Sequence, residues 1–289
     1  MEWLIGSIFS SAVLFLLFKS FGRWNIQIFP AIVVNYITCF ICGNLLLQSR
    51  NIFALNLYEN AWFWQIGSLG ILFIFTFYLM GLSTRNAGAG ATSVASKMSV
   101  MIPAAVSILF LREQPGISLI AGMILSLLSV YLMSPETAEE HKNHRGLFLL
   151  ILVFLGSGGV DTGLNLLKYH LGSTVDDYTI STIVFGIAAV IGICVSVLRY
   201  HTLHFGLKEL GGGMVLGLVN FFSLVAMFRS LGIYHGNTSW FFAINNIGVV
   251  TASTIISILV FREKIDKKGW LGLAVSGIAL LLMNFHAFF

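Results

Sequence analysis

The sequence contains few charged residues, with 16 Lys and Arg and 12 Asp and Glu in 289 residues. Charged residues make up 10% of the chain, whereas soluble domains carry about 25%. A soluble protein of this length needs more polar surface than these charges provide. The composition therefore excludes a cytosolic enzyme and a disordered chain. The net charge of +4 is too small and too scattered for a nucleic-acid-binding protein.

Cysteine and proline are also scarce, with three and four residues in the whole chain. Their scarcity excludes a disulfide framework and a proline-rich linker. Cys39 and Cys42 lie in an apolar run without further Cys or His at metal-ligand spacing, so we predict neither a metal site nor a cofactor. No phosphate-binding loop of an ATPase is present. We expect the protein not to be an enzyme, and any transport to be driven by gradients.

Apolar residues dominate the chain, at 57%. They form long stretches, each sufficient to cross a hydrocarbon core at about 1.5 Å per residue. The first lacks the basic start and cleavage site of a secretory signal, and we expect it to be retained. The sequence therefore predicts an all-α integral membrane protein with ten transmembrane helices. The predicted stretches are 2–18, 28–47, 62–84, 88–111, 116–133, 146–169, 179–198, 211–232, 237–261 and 269–286.

A short internal repeat divides these helices into two halves. Residues 107–113 read SILFLRE and residues 257–263 read SILVFRE, and Gly122 and Gly272 share the same offset of 150. Chance similarity between two apolar helices is the alternative explanation. Since each half has an odd number of helices, the second half enters the membrane from the opposite side, as in inverted-repeat transporters. We predict repeats at 1–134 and 146–289, joined by a polar linker at 135–145.

The pattern resembles the ten-helix drug/metabolite transporters of the EamA-like family over essentially the whole chain. Ser253 stands where the second repeat lacks the proline of the first. The resemblance implies a secondary transporter, often an exporter, with a central cavity walled by both halves. It does not specify the substrate, since members carry amino acids, sugars, nucleotides, phosphorylated metabolites and drugs. The matching residues are Gly81, Pro103, Arg112, Glu113, Gly122, Gly232, Arg262, Glu263 and Gly272.

Two ionisable residues lie deep inside predicted membrane helices, where charge is costly and therefore typical of a functional site. Lys97 lies roughly 14 Å into the fourth helix and Asp161 roughly 21 Å into the sixth, so they differ in depth by about 7 Å. We expect Lys97 to bind an anionic group of a substrate, and Asp161 to bind an ammonium group or carry a coupling proton. The alternative is a fixed Lys97–Asp161 ion pair that holds the two halves together.

Neutral polar residues are weaker candidates for substrate binding. Asn245 and Asn246 lie near the middle of the ninth helix, and their side chains point about 100° apart, so one can face the cavity while the other bonds a neighbouring helix. Asn35 is a further candidate, although a packing role is the stronger expectation for it. Trp240 begins the ninth helix and is either an interfacial anchor or a stacking platform for an aromatic substrate.

These features predict a secondary active transporter that exports small polar or zwitterionic metabolites, such as amino acids, by alternating access around a midplane site. The alternatives are a proton-coupled multidrug or cation exporter and, less favoured, a non-transporting membrane protein. We expect a multi-pass protein of the inner cell membrane, in contact with the lipid bilayer and a small-molecule substrate, as a monomer or homodimer. The loop charges favour termini outside the cell, whereas the family resemblance implies cytoplasmic termini.

Overall fold

A computed structural model describes residues 1–46, 63–110, 115–134, 140–171, 177–198, 205–233 and 238–284. At residues 46, 63, 140–143, 168–171, 231–232 and 238–240 it describes the backbone alone. The described residues form eleven helices: α1 (Glu2–Arg23), α2 (Ile28–Leu46), α3 (Phe63–Asn86), α4 (Ala89–Met98), α5 (Met101–Phe110), α6 (Ile117–Leu132), α7 (Glu140–Leu171), α8 (Asp177–Leu198), α9 (Leu207–Ile233), α10 (Thr238–Phe261) and α11 (Lys267–Met283).

The all-α membrane fold predicted from the sequence is confirmed. By length and composition, eight helical segments of the described chain can cross a membrane, with α4 and α5 counted as one segment. The helices α6 and α11 are shorter, at 16 and 17 residues. Helices are expected here because hydrocarbon offers no partner for backbone polar groups, and a helix pairs them internally. The eleven helices are therefore compatible with the ten predicted crossings.

The fourth predicted span differs from the expectation because it is broken into α4 and α5. Pro103 has no N–H to donate to the carbonyl of Ser99, and its ring displaces that carbonyl from the regular helical position. The Ser99 carbonyl instead accepts from Ile102 N at 2.8 Å, which forms a tight turn. The equivalent α10 has Ser253 in place of proline and runs unbroken. The break is therefore specific to the first half.

The helices of the two halves exchange partners in a regular way. Three of the contacts between helices of different halves have a counterpart in which the two halves are exchanged. The contact α1–α9 corresponds to α7–α3, α2–α9 to α8–α3, and α1–α10 to α7–α4. The pairs α2–α8, α4–α10 and α6–α11 each join a helix to its counterpart. This exchange is the pattern that an inverted repeat produces. The boundaries assigned to the repeats stay a prediction, and α7 already begins at Glu140, inside the proposed linker.

The pair α6–α11 depends on the two glycines that the sequence places 150 residues apart. A Cβ at Gly122 would lie 2.8 Å from the backbone nitrogen of Met283, and one at Gly272 would lie 3.0 Å from the backbone nitrogen of Met133. Both distances are shorter than van der Waals contact. Each helix therefore presents its glycine to the backbone of the other, and the reciprocal contact allows the two helices to approach closely.

We predict that Gly272→Leu destabilises the protein, because the added side chain must displace the backbone of α6. Overpacking of this kind typically costs about 1–3 kcal/mol. Gly277→Leu is the matched control, since a Cβ at Gly277, on the same helix, meets nothing within 4 Å. Thermal unfolding in detergent should show a lower midpoint for Gly272→Leu than for Gly277→Leu. Equal midpoints would contradict the assigned contact.

Candidate functional site

Lys97 and Asp161 are brought together by the contact between α4 and α7. The Ser157 hydroxyl of α7 donates to the Ser96 hydroxyl of α4 at 3.1 Å. Lys97 follows Ser96 directly, and Asp161 lies one helical turn beyond Ser157, or about 6 Å along the axis. Gly158 adds a close contact with Ile102 at the start of α5. Lys97 and Asp161 therefore lie at similar depth beside the break between α4 and α5.

Asp161 lies on the face of α7 that Ser157 turns toward α4, and its side chain is exposed. Asp161 lies on the same face of α7 as the buried residues Phe154 and Ser157. Ile151 and Leu155 lie on another face of the helix and are exposed. The Asp161 side chain is exposed and the Lys97 side chain is partly exposed, so both can be reached from outside the protein.

The two charges interact electrostatically without forming a direct ion pair. Lys97 and Asp161 do not approach within 4.0 Å of each other, in contrast to the ion pair between Lys19 and Glu263. Lys97 and Asp161 act on each other from a longer distance, and the Ser99 side chain lies beside the Asp161 carboxylate. Each charged group thus keeps positions at which a ligand can bind.

The helix break is oriented to suit both charges. Lys97 occupies the last turn of α4, where the negative end of the helix dipole favours a cation. Asp161 lies beside Ser99, two residues before the start of α5, where the positive end of the α5 dipole favours an anion. None of the residues of α5 is buried, and α7 is its main packing partner. The break therefore lies beside a helix without buried residues and carries partial charges that complement the two side chains.

The two adjacent asparagines of α10 face different neighbours. The Asn245 Oδ1 accepts from the Ser7 hydroxyl of α1 at 3.0 Å, so Asn245 joins two helices. Asn246 lies seven residues before Ser253 and therefore on the same face, which contacts Ser93 of α4 at 2.7 Å. Asn246 is 7% exposed and has no hydrogen-bond partner among the described residues. Its amide is thus available on the helix face that continues toward the level of Lys97.

The structure does not bring Asn35 to this site. Asn35 is fully buried between α2 and α9, where its Oδ1 accepts from Asn220 Nδ2 at 3.3 Å. It also accepts from the Cys39 thiol of its own helix. Asn35 therefore takes part in helix packing, which was the stronger expectation for it. The side chain of Trp240 lies outside the described residues, and the same is true of Arg112 and Glu113.

Sequence patterns did not single out three hydroxyl residues near the charges. Ser96 and Ser157 join the helices that carry Lys97 and Asp161, and the Ser99 hydroxyl donates to the Ser96 carbonyl at 2.6 Å. The signal that could have indicated them is a serine close in sequence to a deep charge. Ser96 is adjacent to Lys97, and Ser157 lies one helical turn before Asp161. They line the same narrow part of the α4–α7 contact.

A separate groove of about 450 Å³ lies between α3 and α7. Gly159 and Gly163 of α7 form one wall, and Leu72 and Phe75 of α3 lie opposite. Phe75 is 50% exposed, so the groove opens on the outer surface of the bundle. Asp161 points to a different face of α7, and the groove is therefore distinct from the site around Lys97.

Comparison with known proteins agrees with this architecture. Residues 1–134 match the model of the EamA-like transporter family. A Haemophilus influenzae protein described as uncharacterized is 28% identical over 294 residues, which cover 99% of this chain and 98% of the relative. A solved crystal structure has a TM-score of 0.63 at 11% identity, with 99% of this chain and 96% of that chain covered, and this likeness shows the fold alone. The family match covers the first 134 residues, which correspond to the first predicted repeat, and shows that this part of the chain is similar to transporters of the family.

Proposed function

We propose that the protein is a secondary active transporter that exports small zwitterionic metabolites. Amino-acid-like compounds are the first candidates for its substrate. The observation that carries the proposal is the placement of Lys97 and Asp161. They come from different halves of the chain, interact without a direct ion pair, and are exposed and partly exposed, as suits a gap between the helices that a ligand enters. A buried charge that serves only packing is best neutralised by direct contact, whereas these two charges are held apart.

A zwitterion fits the charges and the dipoles of the gap. Its carboxylate can bind the Lys97 ammonium, with the free Asn246 amide as a further donor. Its ammonium group can bind the Asp161 carboxylate. The two opposite charges of the ligand then replace water around each side chain, so neither charge of the protein is left unpaired when the gap closes.

Transport would proceed by alternating access, in which the two halves rock around the bound substrate. The energy would come from an ion or substrate gradient, with Asp161 as the candidate proton carrier. We place the protein in the inner cell membrane as a monomer or homodimer. Both halves contribute to the site, so closure on the substrate couples their movement.

We predict that Lys97→Met and Asp161→Asn each weaken zwitterion binding by about tenfold to a hundredfold, because each removes one charge-assisted hydrogen bond. The measurement is uptake of a labelled amino-acid mixture into proteoliposomes, with binding to the purified protein measured in parallel. Lys208→Met is the matched control, since Lys208 is an exposed cation at the start of α9. Wild-type binding and transport in both site variants would contradict the proposal.

Ser157→Ala tests whether the α4–α7 contact positions the two charges. Removing a neutral hydrogen bond of about 1 kcal/mol should raise the apparent KM about fivefold while the protein remains folded. Ser196→Ala is the control, because among the described residues the Ser196 hydroxyl bonds the Gly192 carbonyl of its own helix, at 2.7 Å, and joins no second helix. Ser157→Thr retains the hydroxyl and should recover part of the lost affinity. An unchanged KM in Ser157→Ala would exclude a positioning role.

A proton-coupled exporter of cationic drugs is the second candidate, and the exposure of Asp161 favours it. An exposed carboxylate can exchange a proton for a cation, as such exporters require. Lys97 opposes this function, because its charge repels a cationic substrate. Preference for a zwitterion over a lipophilic cation in the same proteoliposomes separates the two candidates.

We predict that an imposed pH gradient accelerates substrate uptake by the wild-type protein and has no such effect on Asp161→Asn, since the amide cannot take up a proton. Uptake with and without the gradient is the measurement. Glu2→Gln serves as the control, because Glu2 is an exposed carboxylate at the start of α1. A gradient-driven rate that persists in Asp161→Asn would assign the coupling to another group or ion.

A further inference from the structure

The two ends of the helix bundle differ in how closely their helices pack. We define the Lys19 side as the end with the α1–α2 turn, Gly88 and residues 262–266, and the Trp3 side as the opposite end. In the first half α1 packs on α3 and α4, with Phe18 against Phe77 near the Lys19 side. In the described part of the second half, the counterpart pairs α7–α9 and α7–α10 pack much less closely. The bundle is therefore closed on the Lys19 side.

Glu263 lies where the helices converge on this side. It follows the end of α10, and its Oε1 accepts from Lys19 Nζ of α1 at 3.1 Å. Its Oε2 accepts from the Ser257 hydroxyl of α10. A Cβ at Gly88, the residue that precedes α4, would overlap with Glu263 Oε1. One carboxylate thus contacts α1, α4 and α10, which come from both halves of the chain.

The backbone around Glu263 is shaped to place it there. Arg262 has a φ of 53° and Gly88 a φ of 97°, both in the left-handed region that few residues other than glycine adopt. Arg262 turns the chain at the end of α10, so that Glu263 points back toward Ser257. Glycine at position 88 leaves the space that the carboxylate occupies. Two unusual backbone positions therefore flank one contact.

We propose that the Lys19–Glu263 ion pair is a gate that closes the path between the candidate substrate site and the Lys19 side. The inference rests on the proposed transport function. Both side chains are partly exposed, at 24% and 19%, so water can solvate them when they separate. Partly exposed ion pairs are weak, and a gate that opens in every transport cycle requires a contact of that kind. The Trp3 side is then the open side in this structure.

The test measures access to a cysteine placed between the gate and Lys97. Ser253→Cys is the reporter, because Ser253 is fully buried against Ser93 of α4, one turn before Lys97. A membrane-impermeant maleimide is applied to sealed vesicles with the Lys19 side outward. Lys264→Cys identifies that orientation, since Lys264 is exposed on the Lys19 side. Protein with only the native Cys39, Cys42 and Cys194 gives the background labelling.

Lys19→Gln and Glu263→Gln should each raise the labelling rate of the reporter by up to about fivefold, the population shift expected from a weak ion pair. The charge-reversed variant Lys19→Glu with Glu263→Lys should restore slow labelling. Lys208→Gln, which removes an exposed cation from the same side, should leave the rate unchanged. Unchanged labelling in both single variants, or fast labelling in the charge-reversed variant, would overturn the gate.

A second reporter and a binding measurement keep the outcome decisive. Ser93→Cys replaces the reporter if Ser253→Cys does not fold. Labelling requires no substrate, so it tests the gate alone, while amino-acid binding by the Lys97 and Asp161 variants tests the proposed function. A changed labelling rate without substrate binding leaves the gate and removes the proposed substrate. Normal substrate binding with an unchanged labelling rate supports the proposed substrate and overturns the gate.

Discussion

The fold depends on keeping two opposite charges inside a membrane bundle without isolating either. Charged side chains at this depth are costly unless they face water, a partner or a ligand. Small residues of α4 and α7, Ser96 and Ser157, together with Gly158 of α7 against α5, allow these helices to approach closely enough for Lys97 and Asp161 to interact. The interaction lowers the cost of each charge, and the proposed ligand binding depends on their separation.

The helices and the two charges could be predicted from the sequence because both follow from the properties of hydrocarbon. An apolar stretch of sufficient length must be helical, and a lysine or aspartate within it is conspicuous. The break after α4 could not be predicted in this way, since membrane helices often tolerate proline when neighbours satisfy the freed backbone groups. Its position became clear only from the bond between the Ser99 carbonyl and Ile102 N.

The roles of the neutral polar residues depend on neighbours that are distant in the sequence. Asn35 and its partner Asn220 are 185 residues apart, and Ser7 and Asn245 are 238 apart. No local pattern distinguishes these packing residues from Asn246, whose amide has no partner in the described chain. The angular position of each side chain around its helix decides whether it meets a partner. A shift of one residue turns the side chain by about 100°, so that it faces a different neighbouring helix.

The two halves differ where the candidate site requires asymmetry. Two identical halves related by a two-fold axis would present identical groups to the substrate. Here the first half contributes Lys97 and, through Pro103, a broken helix, whereas Ser253 keeps α10 intact and the second half contributes Asp161 and Asn246. A zwitterion has unlike ends and needs unlike partners. The departures from the repeat thus supply the opposite charges and opposite helix ends that such a substrate can distinguish.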